Sequence, residues 1–384
     1  MCNLIGTTEG ISFDMKITDI ETIVLRQPEV YPIGDGAQDC LIVKVHTDAG
    51  ITGLGEVHTS PTIARAVIEA PMSHISSVGL KELVVGEDPF DTEALWQKMY
   101  NRTSVFGRRG IAVQAISGID IALWDIKGKA LGQPIYRLLG GSKPRPIKAY
   151  ASTLMPDDPS KAAQEALRWA KCGFQAVKLG WGGFTDNIRQ NAALIKEVRK
   201  VIGQDVAIMV DAGMGWDLPL ALEMARRCED YEVFFLEEPL PVDDLEGYAA
   251  LCDAVDIRIA TGEKESTRWG FRDLILRGHL DILQPDVARC GGITETMKIA
   301  ALCSTFNRTC IPHCWSSDIL VSATLNVITA LSGVPYFEFD VYDTPIRSGV
   351  ARQPIKAENG FVKVPDRPGL GIELDEAFIA KYSV

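Results

Sequence analysis

From residue 146 onward the chain repeats one unit. Eight short apolar runs (PIKAYAS, QAVKLG, VAIMVDAG, VFFLEEP, IRIATGE, LDILQPD, TCIPHCW and YFEFD) alternate with helix-like stretches. Helices are expected over residues 160–172, 187–201, 218–229, 244–255, 270–277, 293–306 and 318–331. Parallel strands cannot be joined by a hairpin, so strand–helix alternation points to a parallel sheet and an α/β class. Eight strands fit a closed barrel better than an open sheet. No Gly-x-Gly-x-x-Gly follows any run, which weakens the dinucleotide-binding alternative.

Each run after the first ends in an ionisable residue: Lys178, Asp211, Glu237, Glu263, Asp286, His313 and Glu338. Successive members lie 23 to 33 residues apart, the length of one strand–helix unit. All seven are therefore expected at the C-terminal ends of their strands, and in a barrel those ends converge on the mouth where active sites lie. A single charged residue at a strand end is often only a helix cap. Seven in register on successive repeats are hard to obtain that way.

Asp211, Glu237 and Glu263 are three successive carboxylates that repel one another unless a cation sits between them. Oxygen ligands without Cys or His favour Mg2+, with Mn2+ as a substitute. Glu238 follows Glu237 and is expected on the opposite face of its strand. Lys264 follows Glu263 and has no assignment. Asp286 and His313 end consecutive strands, and a carboxylate beside an imidazole orients it as a general base or acid. His46, His74 and His279 belong to no such constellation and are read as structural. His58 ends an N-terminal strand that faces the barrel mouth in one reading.

The first part of the chain is α+β. Residues 15–25, 40–46 and 51–57 read as strands and 61–137 as mostly helical, with one long helix from Ala112 to Leu139 ended by Gly140-Gly141. This gives an N-terminal capping domain over 15–140, a barrel over 146–343, and a proline-containing segment over 344–384 that packs back on the cap. The 39 basic and 51 acidic residues leave a net charge of −12. That argues against a sequence-independent nucleic-acid binder. It also requires local positive charge wherever an anionic substrate binds. Residues 1–14 lack the basic flank and apolar core of a signal peptide, and no apolar run is long enough for a membrane span. The nine scattered cysteines include no Cys-x-x-Cys pair and read as reduced thiols of a cytoplasmic protein. Cys310 and Cys314 flank His313, but their spacing does not match a usual zinc framework.

The motifs ALWDIKGKALGQPIYRLLGG (122–141), VDAG (210–213), LEEP (236–239), TGE (261–263), QPD (284–286), CGG (290–292) and PHCW (312–315) resemble the mandelate racemase subgroup of the enolase superfamily. The resemblance covers almost all of residues 15–384. It implies a (β/α)7β modified TIM barrel with an α+β cap, and a homo-oligomer. It implies that Asp211, Glu237 and Glu263 ligate Mg2+, that Asp286 and His313 form a dyad, and that Lys178 and Glu338 contact the substrate carboxylate. The shared chemistry is proton abstraction beside a carboxylate, with the metal stabilising an enediolate.

One departure from the resemblance is informative. The racemase type carries Lys-x-Lys at the second strand; here Gly180 stands in the second lysine's place. Racemisation normally wants a base on each face of the carbanion, whereas elimination of water can run with His313 alone. The expected activity is therefore dehydration of an aldonate or aldarate to a 2-keto-3-deoxy acid. Gly180 is expected to make room for a polyhydroxylated substrate. The lid loops are read at 28–39 and 56–61, with Asp35, Gln38, Asp39 and His58 suited to hydroxyl recognition. Trp181 and Trp315 join His58 as candidate substrate contacts. The alternatives are a racemase or epimerase using His313 and Lys178, a muconate-type cycloisomerase (disfavoured because that type carries lysine where Asp286 stands), and a metal-retaining binding protein without turnover.

Overall fold

A computed structural model describes residues 15–31, 38–181, 184, 187–342 and 344–384. Strands β1 (Ile17–Arg26), β2 (Asp39–Thr47) and β3 (Thr52–Val57) form an antiparallel meander in that order. The β2–β3 turn closes on Gly50 in the left-handed region at φ +75°. Helices Pro61–Glu69, Leu80–Val84, Thr92–Arg102 and Ile111–Leu131 follow. The last lies so close to β3 that a Cβ on Gly55 would stand 1.8 Å from the Gly118 carbonyl oxygen. Only glycine fits there. This helix ends sooner than the expected Leu139. Gly132 adopts φ +63° and caps it by donating to the Gly128 and Lys129 carbonyls, and Pro134 offers no N–H to resume it. A separate turn, Ile135–Leu138, follows.

The barrel strands are β4 (Ile147–Leu154), β5 (Ala176–Gly180), β6 (Ala207–Asp211), β7 (Val233–Glu237), β8 (Arg258–Thr261), β9 (Ile282–Leu283), β10 (Thr309–Cys310) and β11 (Phe337–Asp340). They are parallel in the order β10-β9-β8-β7-β6-β5-β4-β11, and the sheet curls with helices on its outside. A final short strand, β12 (Phe361–Val362), pairs antiparallel with β4. The connecting helices begin and end within a few residues of the expected bounds. Tyr150, Met209, Phe235, Ile282, Ile311 and Tyr336 pack together as an apolar plug. Among the described residues no ladder joins β10 to β11. Across that seam the Cys314 N–H donates to Glu338 Oε2 at 2.9 Å. No described helix is long and apolar enough to cross a membrane.

The N-terminal sheet is tied to the barrel through buried carboxylates. Glu56 of β3 accepts from Ser317 Oγ at 2.7 Å, from the Leu320 N–H at 3.0 Å and from Ser316 Oγ. It thus sits at the positive end of helix Asp318–Ala330, just beyond the loop carrying His313. The C-terminal segment reaches the same sheet: the Val384 N–H donates to the Val24 carbonyl at 3.1 Å. Asp120, fully buried in helix Ile111–Leu131, accepts from the Thr294 N–H at 2.9 Å, and its Oδ1 has no partner.

Asp120 makes stability depend on pH. Burial pushes its carboxyl from 3.8 up to about 7. Between those values the folded chain holds a proton that the unfolded chain has lost. Stability from this group therefore falls as pH rises, by about 1.4 kcal/mol per unit. Asp120→Asn keeps the site neutral at every pH. It is expected to be more stable than wild type at about pH 8, by on the order of 4 kcal/mol, with the gain fading toward about pH 4. Denaturant titrations across that range check it; a gain independent of pH would refute the assignment.

Candidate active site

The seven ionisable residues converge, but not all on strand ends. Lys178 lies within β5, Asp211 and Glu237 end β6 and β7, and Glu338 is the second residue of β11. Glu263, Asp286 and His313 lie in the loops just beyond β8, β9 and β10, which are shorter than the apolar runs. All seven are buried. Lys178, Asp211, Glu263 and His313 line one cavity, together with Trp181, Trp315 and the end of β4.

Each member of Asp211, Glu237 and Glu263 offers an oxygen, and these atoms lie within 4.8 Å of one another. Burial, reinforced by neighbouring carboxylates, pushes Asp211 up to about 7 and Glu237 up to about 8, although Lys178 opposes both shifts. Lys178 on Glu237, with Lys264 and Arg289 on Glu263, leaves Asp211 and Glu237 raised, so the buried negative charge is not fully offset. A cation offsets the remainder, so the donor set and its electrostatics fit a metal ion.

Lys178 Nζ donates to both oxygens of Glu237, each at 2.9 Å, and pairs with Glu338 Oε1 at 2.7 Å. Burial pulls its pKa down, but Glu237 and Glu338 outweigh burial and hold it well above the ordinary lysine value. Lys178 is therefore a fixed positive charge beside the trio, the local attraction an acid substrate requires. Glu338 is in turn bonded by Ser152 Oγ at 2.8 Å. Ser152 stands in register beside Lys178 on β4. The sequence pattern passes over it because the first run ends without an ionisable residue, although its small hydroxyl residues, Ser152 and Thr153, are a signal.

His313 Nδ1 lies 2.7 Å from Asp286 Oδ2, and its Nε2 lies 3.2 Å from Glu263 Oε2. Burial opposes a charge on the imidazole, but Glu263, Glu338 and Asp286 outweigh it and raise the pKa to about 9. Burial likewise opposes ionisation of Asp286, yet hydrogen bonds from His313 and His58 hold its carboxyl well below the ordinary range. Asp286 stays ionised and orients the ring, leaving Nε2 as the nitrogen on the cavity side of the dyad.

Trp181 adopts φ +52° and lies beneath Lys264, whose Nζ is 4.8 Å from the ring centroid. Trp315 is buried with its Nε1 donor unpaired, and both indoles line the cavity. His58 is instead buried beside the dyad, with Nδ1 3.2 Å from Asp286 Oδ2. Glu238 is not one of the three carboxylates that share a centre; it pairs with Lys264, which also bonds Glu263. His46 and His279 pair with Glu21 and Asp253, far from the cup. Asp35 lies outside the described residues.

Gly180 does not open space as expected. A Cβ there would stand 2.4 Å from Asp211 Cβ and 2.8 Å from its carbonyl oxygen. The glycine lets β5 close onto β6 at Asp211, which occupies the room a side chain would need.

Residues 161–378 match the family described as enolase C-terminal domain-like, and residues 20–140 match the mandelate racemase / muconate lactonizing enzyme N-terminal domain. The chain is 35% identical over 353 residues to an arabinonate dehydratase of Saccharolobus solfataricus, covering 91% of this chain and 92% of that protein. It is 33% identical to a D-galactonate dehydratase of Pectobacterium atrosepticum, covering 96% and 94%. Among solved structures, the 3,6-anhydro-D-galactonate cycloisomerase from Zobellia galactanivorans superposes with a TM-score of 0.87 at 34% identity, covering 96% of this chain and 99% of that one.

Proposed function

The chain belongs to the enolase superfamily, in its mandelate racemase / muconate lactonizing enzyme branch, and from that premise we propose a hydro-lyase that converts an aldonate or aldarate to a 2-keto-3-deoxy acid. The observation that carries this reading is the one-sidedness of the site. His313 lines the cavity with Nε2 against one carboxylate, Glu263, whereas the ammonium of Lys178 is held by two and no side chain fits at position 180. A racemase needs a proton acceptor on each face; an elimination needs one group that takes a proton and returns it. The likeness to an arabinonate and a galactonate dehydratase supports the same choice.

Asp211, Glu237 and Glu263 would hold Mg2+, or Mn2+ in its place. The cation supplies electrostatic stabilisation of the negative charge that builds on the substrate carboxylate. Lys178 binds and orients that carboxylate by charge, and Glu338, which would donate to it only in its protonated form, fixes the ammonium in place. His313 acts in its neutral form, which a charge offsetting Glu263 would favour; its Nε2 takes the C2 proton, and the electron pair spreads into the carboxylate as an enediolate. The C3–O bond then breaks, and the imidazolium returns its proton to the departing hydroxyl, which leaves as water. The remaining enol takes a proton at C3 and becomes the 2-keto acid. Asp286 keeps the ring in register throughout. Trp181 and Trp315 wall the cavity, with the Trp315 N–H available to a substrate oxygen.

The test is a panel of aldonic and aldaric acids, with their lactones and anhydro forms, incubated with Mg2+ and followed by mass spectrometry. The expected product has lost the mass of one water and reacts as a 2-keto-3-deoxy acid. The likeness to a cycloisomerase sets the competing outcome: a ring oxygen leaves instead of a hydroxyl, and the product keeps the mass of its substrate. Exchange of the C2 proton with solvent and no keto product would replace the proposal with epimerisation.

A further inference from the structure

His58 is held on every side. Its backbone N–H reaches the Ala288 carbonyl at 3.5 Å, and its carbonyl accepts from Arg289 Nε at 3.1 Å. Its ring is buried, with Nε2 3.1 Å from Arg289 Nη2 and Nδ1 3.2 Å from Asp286 Oδ2. A guanidinium can only donate, so Nε2 of His58 must accept. A neutral imidazole with an accepting Nε2 carries its proton on Nδ1, and that proton points at Asp286. The ring is therefore fixed as one tautomer, neutral and donating. The same Asp286 oxygen receives Nδ1–H of His313 at 2.7 Å, and the other oxygen receives the Ala288 N–H at 2.7 Å. The two imidazoles lie nearly parallel, 12° apart, with centroids 6.0 Å apart.

Three donors on one carboxylate leave it no freedom to rotate. We infer that His58 is a positioning residue for the reaction, acting through Asp286 to hold the His313 ring in line with the substrate. The residue directly follows β3, so the N-terminal domain supplies part of the machinery that orients the barrel's acid–base group. Two residues earlier on the same strand, Glu56 bonds the serines that follow His313 in its loop. The strand thus braces His313 at its carboxylate partner and at its backbone. These residues, His58, Asp286 and His313, also stand close enough to hold a metal ion. The Arg289 charge at His58, and the protons both rings donate to Asp286, favour a hydrogen-bonded relay over a cation there.

The inference rests on His313 being the acid–base group, and it is tested by two opposite truncations of one ring. Asparagine places an amide N–H where Nδ1–H stood; glutamine places its amide where Nε2 stood. His58→Asn is expected to keep kcat within about fivefold of wild type, because the donor to Asp286 survives. His58→Gln is expected to lower kcat by about 30-fold, with KM and Mg2+ affinity within about threefold. A role in packing alone predicts the reverse order, since glutamine better fills the volume. A second measurement needs no substrate: the low-field proton resonance of His313 Nδ1–H in the resting protein. It is expected to persist in His58→Asn and to shift or broaden in His58→Gln. Equal kinetics and unchanged resonances in the two variants would overturn the inference. If the wild type dehydrates no acid, the functional reading fails while the resonance comparison still decides this one.

Discussion

Replacing His313 by asparagine is expected to reduce turnover by at least about 10³-fold while Mg2+ still binds within about twofold of wild type. Asparagine keeps an N–H where Nδ1–H donates to Asp286, so the carboxylate retains its partner. What disappears is Nε2, the nitrogen that faces the cavity. Because one group is assigned both the C2 proton and its return to the leaving oxygen, both half-reactions must fail together. Exchange of the C2 proton in heavy water should therefore vanish along with the keto product. A variant that lost product but kept exchange would show that another group removes the proton and that His313 serves only as the acid. Wild-type turnover would remove His313 from the mechanism. Calorimetric titration with Mg2+ separates either result from damage to the metal site.

The cup was legible from residue numbers because the period of the repeat and the convergence of barrel strands are geometric facts that need no partner information. Asp211 and Glu237 stand opposite each other on consecutive strands, and Lys178 lies two residues before Asp211's partner on β5, so the period of the repeat brings the three together. The limits of this reasoning have physical causes. Apolar runs overstate β9 and β10, since the ladder there pairs only two residues before the chain turns toward Asp286 and His313. Ser152 carries no charge, so a pattern of ionisable strand ends does not reach it, although its hydroxyl is a weak signal. The bonds of His58 and Glu56 join segments more than 200 residues apart, and periodicity within a segment holds no information about such contacts. Gly180 shows the opposite error. Alternation placed it correctly beside the trio, but whether a missing side chain leaves a hole depends on how closely the next strand approaches, and Asp211 fills that space. The apolar spacing of the N-terminal helix continues through Gly132, whereas the left-handed cap that stops the helix there is a backbone property.

Glu237→Gln provides the complementary result: Mg2+ affinity is expected to fall at least about 100-fold, and turnover with it, while the metal-free fold survives. The charge balance gives the reason for both halves. Burial pushes the Glu237 carboxyl up to about 8 in the metal-free protein, despite Lys178, and Asp211 adds to the rise. A carboxyl raised this far costs stability as pH climbs from its ordinary value of 4.5 toward 8, because the folded chain holds a proton the unfolded chain releases. A neutral amide of the same shape removes that cost and still accepts from Lys178 through one oxygen. The metal-free variant should therefore unfold at the wild-type temperature or above it. Added Mg2+ should separate the two proteins. At about 100 times its Kd a ligand specific to the folded state stabilises by about 2.7 kcal/mol, so wild type should show a clear rise in Tm and the variant none at the same concentration. If both proteins rise equally, Glu237 is not a ligand, and the cation sits elsewhere among the buried carboxylates. If the metal-free variant melts well below wild type, the Lys178–Glu237 pair is holding the barrel together, and the trio's repulsion is weaker than its burial implies.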